Sequence, residues 1–381
     1  MVVALATLAA TIPVTAWNVA ARRDGVQAAS VASAAARTAV DNPIEARRRA
    51  DFAAMQKIGL AQVFLESGMS GTRRSEANAV GFCQWLQRNW KRLNYFSPVP
   101  IEGQNQTTQA PYCAAYLSVL ATKYGSFIPA VSEHNAGGTN VGRTLINGEH
   151  LGADDVRAQY LMGSKLANDL RALPGREYAS VYLSYGPRSH LYAEMVVWQH
   201  VQRQKFSAST PQEPIHAMRT SRAISLAEII QRTNLPASEV RRFNPALKDR
   251  VRARAALYLP HYVAEFGADV AFWRRPASPS YAAVLDDFTR LAAGPERWDD
   301  PAFAPVLKDF KRRFKETNTE EGMVMDTVLT YAMDQAYTSP RRTLLSEFRR
   351  SERVRRLIER GVQELDAKRD AQAVRVTAST F

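Results

Sequence analysis

Glu66-Ser67 ends an apolar helical run, and a Gly-aromatic-x-Gln step, Gly81-Phe82-Cys83-Gln84, follows it in the same stretch. A carboxyl group can protonate a leaving oxygen and later take a proton back when its pKa lies near the working pH. Withdrawal from water raises that pKa, because the charged form loses more than the neutral one. The spacing puts Glu66 where this would happen. Phe52, Met55, Gly59 and Val63 recur at steps of three and four, and Glu66 is the next member of the same stripe. The helix carrying the stripe starts at Asn42-Pro43-Ile44-Glu45, with Asn as cap, Pro at the first helical position and Glu reaching back to the cap. Gly68 and Gly71 stop it, so the carboxyl stands at an opening rather than in mid-core. The plainer reading of an isolated Glu-Ser pair is a half-exposed helix end with no chemistry.

Further along come Ser75-Glu76-Ala77-Asn78-Ala79-Val80 ahead of Gly81, then Tyr116-Leu117, Asn135-Ala136-Gly137 ahead of Val141, and Tyr192 in a His-Leu-Tyr-Ala-Glu-Met-Val run. In this order and at these spacings the stretch from 66 to 192 resembles the catalytic domain of soluble lytic transglycosylases, lysozyme-like glycosidases that act on peptidoglycan. Asn78 stands where that family usually has Gly, and His134 precedes Asn135 where it often has Tyr. Asn tolerates a positive φ better than most residues, which makes the first departure mild. The second alters a group lining the cleft.

The resemblance implies one catalytic carboxyl. Glycoside cleavage usually employs two, and no second Asp or Glu of this region has a place in the pattern. A lytic transglycosylase uses its glutamate first to protonate the glycosidic oxygen between N-acetylmuramic acid and N-acetylglucosamine. The same group then takes the proton of the C6 hydroxyl as a 1,6-anhydro ring closes, and no metal or cofactor is required. By the same resemblance Ser67 orients the carboxyl or its loop, and Ser75 contacts sugar. Gln84 faces the cleft, Asn135 bonds an N-acetyl group or the closing ring, and Tyr116 and Tyr192 wall the pocket. Each also has a plainer structural role. Ser67 would bond backbone at a helix end, Gln84 would tie two loops, Asn135 would serve its turn, and the tyrosines would be core.

The elements that must position these groups are read as mainly α. The fold class is a lysozyme-like α+β catalytic domain over 42–205, a small LysM-like βααβ segment over 215–260, and a helical C-terminal region over 261–381. The spacing predicts helices at 43–67, 79–93, 110–124, 126–134, 153–171 and 188–204, with loops at 68–78, 101–109 and 135–150. Residues 207–214 read as a Ser/Pro-rich linker. Beyond it, Ile224, Leu226, Ile229, Ile230, Leu235, Val240 and Phe243 lead to a Leu257-Tyr258-Leu259 run, which suits a strand, two short helices and a strand. The order resembles a LysM module, a glycan-binding fold. Here Ser221-Arg222-Ala223 replaces its usual Gly-Asp-Thr turn, and the Pro-Gly turn before the last strand is missing. Within 261–381, Thr317 with Glu320 is a capping pair for a helix bearing Met325, Val328, Leu329, Ala332 and Met333. A last amphipathic helix carries Val354, Leu357, Ile358, Val362 and Leu365, with Gly361 as a weak point inside the stripe.

Residues 1–20 are uncharged and read as a signal-peptide core or a single membrane anchor, followed by a polar linker over 21–41. Arg22-Arg23 follow the apolar stretch, which by the positive-inside rule argues against its exporting the rest as an anchor. The resemblance places the protein in the periplasm or cell envelope, with residues 2–20 as an inner-membrane anchor in one arrangement. The formal net charge of +13 over 381 residues suits acidic polymers. Peptidoglycan, with its lactyl and stem-peptide carboxylates, is the expected partner. The C-terminal helices are a surface for an envelope protein, or simply a bundle with a solvated basic face. Nucleic acid would also suit the charge, but no P-loop, dinucleotide fingerprint or zinc-type spacing accompanies it, and it is not expected. The two cysteines, Cys83 and Cys113, form no metal motif and are either a disulfide of an exported protein or two buried thiols. The competing function is a catalytically weak or inactive peptidoglycan-binding scaffold.

Overall fold

The computed structural model describes residues 61–63, 65–67, 73–101, 106–173, 176–182, 185–209, 216–244, 247–269, 278–337 and 345–379. The apolar segment at 1–20, the linker at 21–41 and the helix start at Asn42 lie outside these residues. The chain is mainly helical with a few short strands. It divides into two compact units. One gathers the residues up to Val119, Val196–Ala292 and Pro305–Gln335, and the other Leu120–Met195, Ala293–Ala304 and Ala336 onward. The region 261–381 therefore does not stand apart, since its helices are shared between the two. Among the described residues no helix is long and apolar enough to cross a membrane.

In the first unit, residues 61–63 and 65–67 are helical. The next segment is a hairpin, not the helix expected over 79–93. β1 (Ala79–Val80) pairs antiparallel with β2 (Trp85–Leu86), and only then does α1 (Gln87–Phe96) begin. Positive φ values at Asn78, Gly81 and Gln84 break any helical path there. α2 (Gln106–Tyr124) starts inside the expected loop at 101–109.

A βααβ module follows in this unit. β3 (His216–Thr220) and β6 (Ala256–Leu259) pair antiparallel around α8 (Leu226–Thr233) and α9 (Ala237–Phe243). Ser225 caps α8 by accepting from Glu228 N, and Asn234 ends it in the left-handed region. Met218, Ile224, Ile229, Val240, Leu257, Leu259 and Phe266 form the core. Asn244 locks the end of α9 to β6. Its amide donates to the carbonyls of Val240 (2.9 Å) and Tyr258 (2.6 Å), and its Oδ1 accepts from Tyr258 N (3.0 Å). Two strand pairs were not foreseen. β4 (Ile224–Ser225) meets β5 (Arg250–Val251), and β7 (Gly267–Asp269) adds to the free side of β3. In place of a Pro-Gly turn, Arg254 holds φ 63.

The rest of the unit is α10 (Pro279–Leu291), α12 (Ala304–Glu316) and α13 (Glu320–Tyr337). Phe288 meets Phe310 and Tyr281 meets Phe314 at ring separations of 5.3 and 5.5 Å. Met325, Val328 and Leu329 are fully buried on α13. The cap of α13 is Thr319, whose Oγ1 accepts from Gly322 N, while Thr317 instead donates to Phe314 O.

The second unit holds α3 (Phe127–Ala136), α4 (Gly138–His150), α5 (Val156–Arg171), α6 (Arg176–Tyr182) and the start of α7 (Pro187–Ser209), with α11 (Pro295–Asp299), α14 (Leu345–Arg350) and α15 (Glu352–Ser379). Two expectations are corrected here. α4 replaces the loop at 135–150, because its buried face is partly polar and most of that face is hydrogen-bonded, Asn147 Nδ2 being the exception. Thr144 Oγ1 donates to Asn140 O (2.8 Å), and Asn147 Oδ1 accepts from Tyr182 (2.8 Å). α7 runs through 207–209, so the helix takes the first residues of the expected linker.

Candidate functional site

Glu66 is half-buried on the last described turn of its helix, where Ala61 and Val63 are buried. The Ser67 hydroxyl is committed to its own helix, donating to Val63 O at 3.0 Å.

Ser75 organises the turn into β1. Its Oγ accepts from Ala79 N (3.0 Å), its N–H donates to Ala79 O (2.9 Å) and its carbonyl accepts from Asn78 N (2.9 Å). Asn78 holds φ 60, the conformation for which glycine is the common choice, so Asn serves at this position. The following turn is pinned from several sides. Gly81 N donates to Arg73 O (2.8 Å), Trp90 Nε1 to Val80 O (3.0 Å) and Phe82 N to Gln109 Oε1. A disulfide joins Cys83 to Cys113 on α2, with both residues buried. Gln84 ties two loops, its amide donating to Arg73 O (3.1 Å) and Gly81 O (2.7 Å). It remains half-exposed.

Tyr116 lies one turn beyond Cys113 on α2 and is half-buried. Its ring meets Trp85 edge-on at 5.1 Å and Tyr331 of α13 at 5.6 Å. Trp85 and Tyr331 are not among the residues that the sequence pattern singled out. Trp85 could have been found as the large aromatic next to Gln84. Tyr331 has no local signal, because its partners are distant in sequence.

In the second unit, Asn135 is exposed at the end of α3 and accepts from Ser189 Oγ at 3.3 Å. Tyr192 is completely buried, so its ring belongs to the packing of that unit. Two residues before Asn135, Glu133 is held by Lys123 (2.9 Å) and by the Tyr124 hydroxyl. Behind α3 runs a buried phenol network, also missed. Tyr160 donates to Ser132 Oγ (2.5 Å) and lies 3.3 Å from the Tyr185 hydroxyl. Burial pushes the pKa of Tyr160 and Tyr185 upward, and that of Tyr182 up to about 12. Tyr178, Tyr182 and Tyr185, at steps of four and three, were the available signal.

The first unit thus gathers Glu66, Ser67, Ser75, Gln84 and Tyr116, and the second Asn135 and Tyr192. Among the described residues no group of His, Cys, Asp and Glu is arranged to hold a metal ion. No protein-family model matches the chain, and no curated protein matches it.

Proposed function

We propose that the protein is a peptidoglycan lytic transglycosylase that cleaves the bond between N-acetylmuramic acid and N-acetylglucosamine through Glu66. The observation that carries this reading is a half-buried glutamate on the last described turn of a helix, followed by a disulfide-pinned hairpin bearing Ser75 and Gln84. A carboxyl at a helix end beside such a hairpin is placed to give a proton and take one back. Glu66 protonates the glycosidic oxygen and the sugar's own C6 hydroxyl closes the anhydro ring. Ser75, Gln84 and Tyr116 contact the strand. Ser67 supports the helix end. The buried disulfide supports an oxidising compartment such as the periplasm or cell envelope. The strand-helix-helix-strand order of residues 216–259 supports a LysM-like module.

Glu66→Gln keeps the shape and removes the proton. Purified Glu66→Gln should release anhydro-muropeptides from sacculi about 10²- to 10⁴-fold more slowly than the wild type. Equal rates would sink the assignment. Mass spectrometry separates the reaction from hydrolysis, which adds a water to the product.

A second reading, a peptidoglycan-binding scaffold with weak or no activity, is favoured by two side chains. Tyr192 is wholly buried, and the Gln84 amide is spent on loop carbonyls. It predicts retention on sacculi with no anhydro product from the wild type.

A further inference from the structure

The helix that leaves the candidate hairpin has an unusual outer face. α1 starts directly after β2 and has no acidic residue. Trp90 and Leu93 turn inward and are buried, while Arg88, Lys91, Arg92 and Tyr95 are exposed. Tyr95 is 75% exposed, the most open large ring among the described residues. One exposed ring is ordinary on a protein surface, but this one stands on the same helix face as exposed cations and offers a stacking face beside them.

The ring is held, not loose. Arg92 donates from Nε and Nη2 to the two carboxylate oxygens of Asp334, at 3.0 and 2.6 Å. Fixed this way, its guanidinium lies 5.2 Å from the Tyr95 ring and 4.7 Å from that of Phe96. Arg92 is thereby neutralised and acts as a support. Arg88 and Lys91 have no carboxylate partner among the described residues, and they remain available to an anion.

We propose that this face of α1 is a subsite for an acidic glycan strand, with a sugar ring stacked on Tyr95 and pendant carboxylates held by Arg88 and Lys91. It rests on the transglycosylase reading only for the identity of the strand. Charge complementarity and continuity with the hairpin of Ser75 and Gln84 favour this occupant. Single-stranded nucleic acid would also meet cations and an aromatic, but its bases stack on successive rings. Here the one neighbouring ring among the described residues, Phe96, stands edge-on to Tyr95 at 5.3 Å and is half-buried.

The test uses the full chain in the Glu66→Gln background, so that binding is measured without turnover. The probes are isolated sacculi, glycan strands stripped of stem peptides, and a single-stranded oligonucleotide. Arg88→Ala/Lys91→Ala should weaken retention on sacculi by about tenfold at low salt, with the gap closing as salt is raised. Stripped strands keep their lactyl carboxylates, so the same change should weaken their binding too, with the same salt dependence. Tyr95→Ala should weaken both glycan probes and Tyr95→Phe should restore them, with thermal melting unchanged in each. Wild-type retention by both altered proteins would overturn the proposal. So would dependence on these residues for the oligonucleotide alone. If the face binds sacculi but wild-type protein forms no anhydro product, the catalytic reading fails and the subsite stands. The converse result removes the subsite alone.

Discussion

Arg92 of α1 and Asp334 of α13 are joined by two hydrogen bonds across 242 residues of sequence. The same helix α13 sends Tyr331 onto Trp85, stacked at 6.1 Å, and onto Tyr116. A helix from the C-terminal third thus braces the hairpin and a candidate substrate residue. Tyr331 is buried, so Tyr331→Ala should cost about 3 kcal/mol in urea unfolding. Tyr331→Phe keeps the ring and should cost less than the alanine variant. A loss below about 1 kcal/mol for the alanine variant would mean that the brace contributes little.

The disulfide carries a second prediction. Cys83 and Cys113 close a loop with a sequence separation of 30, for which chain entropy gives about 3–4 kcal/mol. Adding reductant, or making Cys83→Ser/Cys113→Ser, should lower unfolding stability by that amount and slow release of anhydro products. Alkylation before and after reduction reports the pairing directly. Two thiols that alkylate under non-reducing denaturation would contradict the bond.

Two glycines should respond differently to a single methyl group. At Gly163 of α5 a Cβ would fall 1.8 Å from the Thr144 carbonyl oxygen of α4, a backbone atom that cannot turn aside. At Gly361 of α15 it would fall 2.1 Å from Leu170 Cδ2, the end of a buried side chain that can change rotamer. Gly163→Ala should therefore cost more than the upper end of the usual overpacking range of about 1–3 kcal/mol. Gly361→Ala should stay within it, partly offset by about 1 kcal/mol of helix propensity. Thermal melting of the two variants ranks them, and the reverse order would show that the two helix contacts are misassigned.

Local pattern reached part of this architecture. The apolar spacing of Ile224, Ile229, Val240 and Leu257 was enough to place the strand-helix-helix-strand order, because each residue lies on the buried face of a short regular element. The helix with Met325, Val328 and Leu329 was legible for the same reason. α4 was hidden because Asn140, Thr144 and Asn147 look like loop residues and yet are buried, with Asn140 Nδ2, Thr144 Oγ1 and Asn147 Oδ1 hydrogen-bonded. The hairpin at 79–86 was hidden because Ala79, Val80 and Trp85 suit a helix until the positive φ at Asn78, Gly81 and Gln84 is known. For Ser67 and Gln84 the plainer readings are the ones found, a hydroxyl bonded to backbone at a helix end and an amide tying two loops.

The phenol network predicts how the protein meets alkali. Burial pushes the Tyr182 pKa from 10.0 up to about 12, and it raises those of Tyr160 and Tyr185 as well. A phenol whose folded pKa exceeds its unfolded one favours the folded state while it stays protonated. That contribution is complete below pH 10 and is lost as the pH rises towards about 12. For Tyr182 it amounts to about 2–3 kcal/mol. Tyr182→Phe removes the titration but leaves Asn147 Oδ1 without its donor, so the variant should be about 1–3 kcal/mol less stable at neutral pH. Its stability should then fall less steeply through the alkaline range. Urea unfolding at stepped pH, read with tyrosinate absorbance, gives both slopes. Parallel slopes for the two proteins would show that Tyr182 ionises as freely in the folded chain as in the unfolded one.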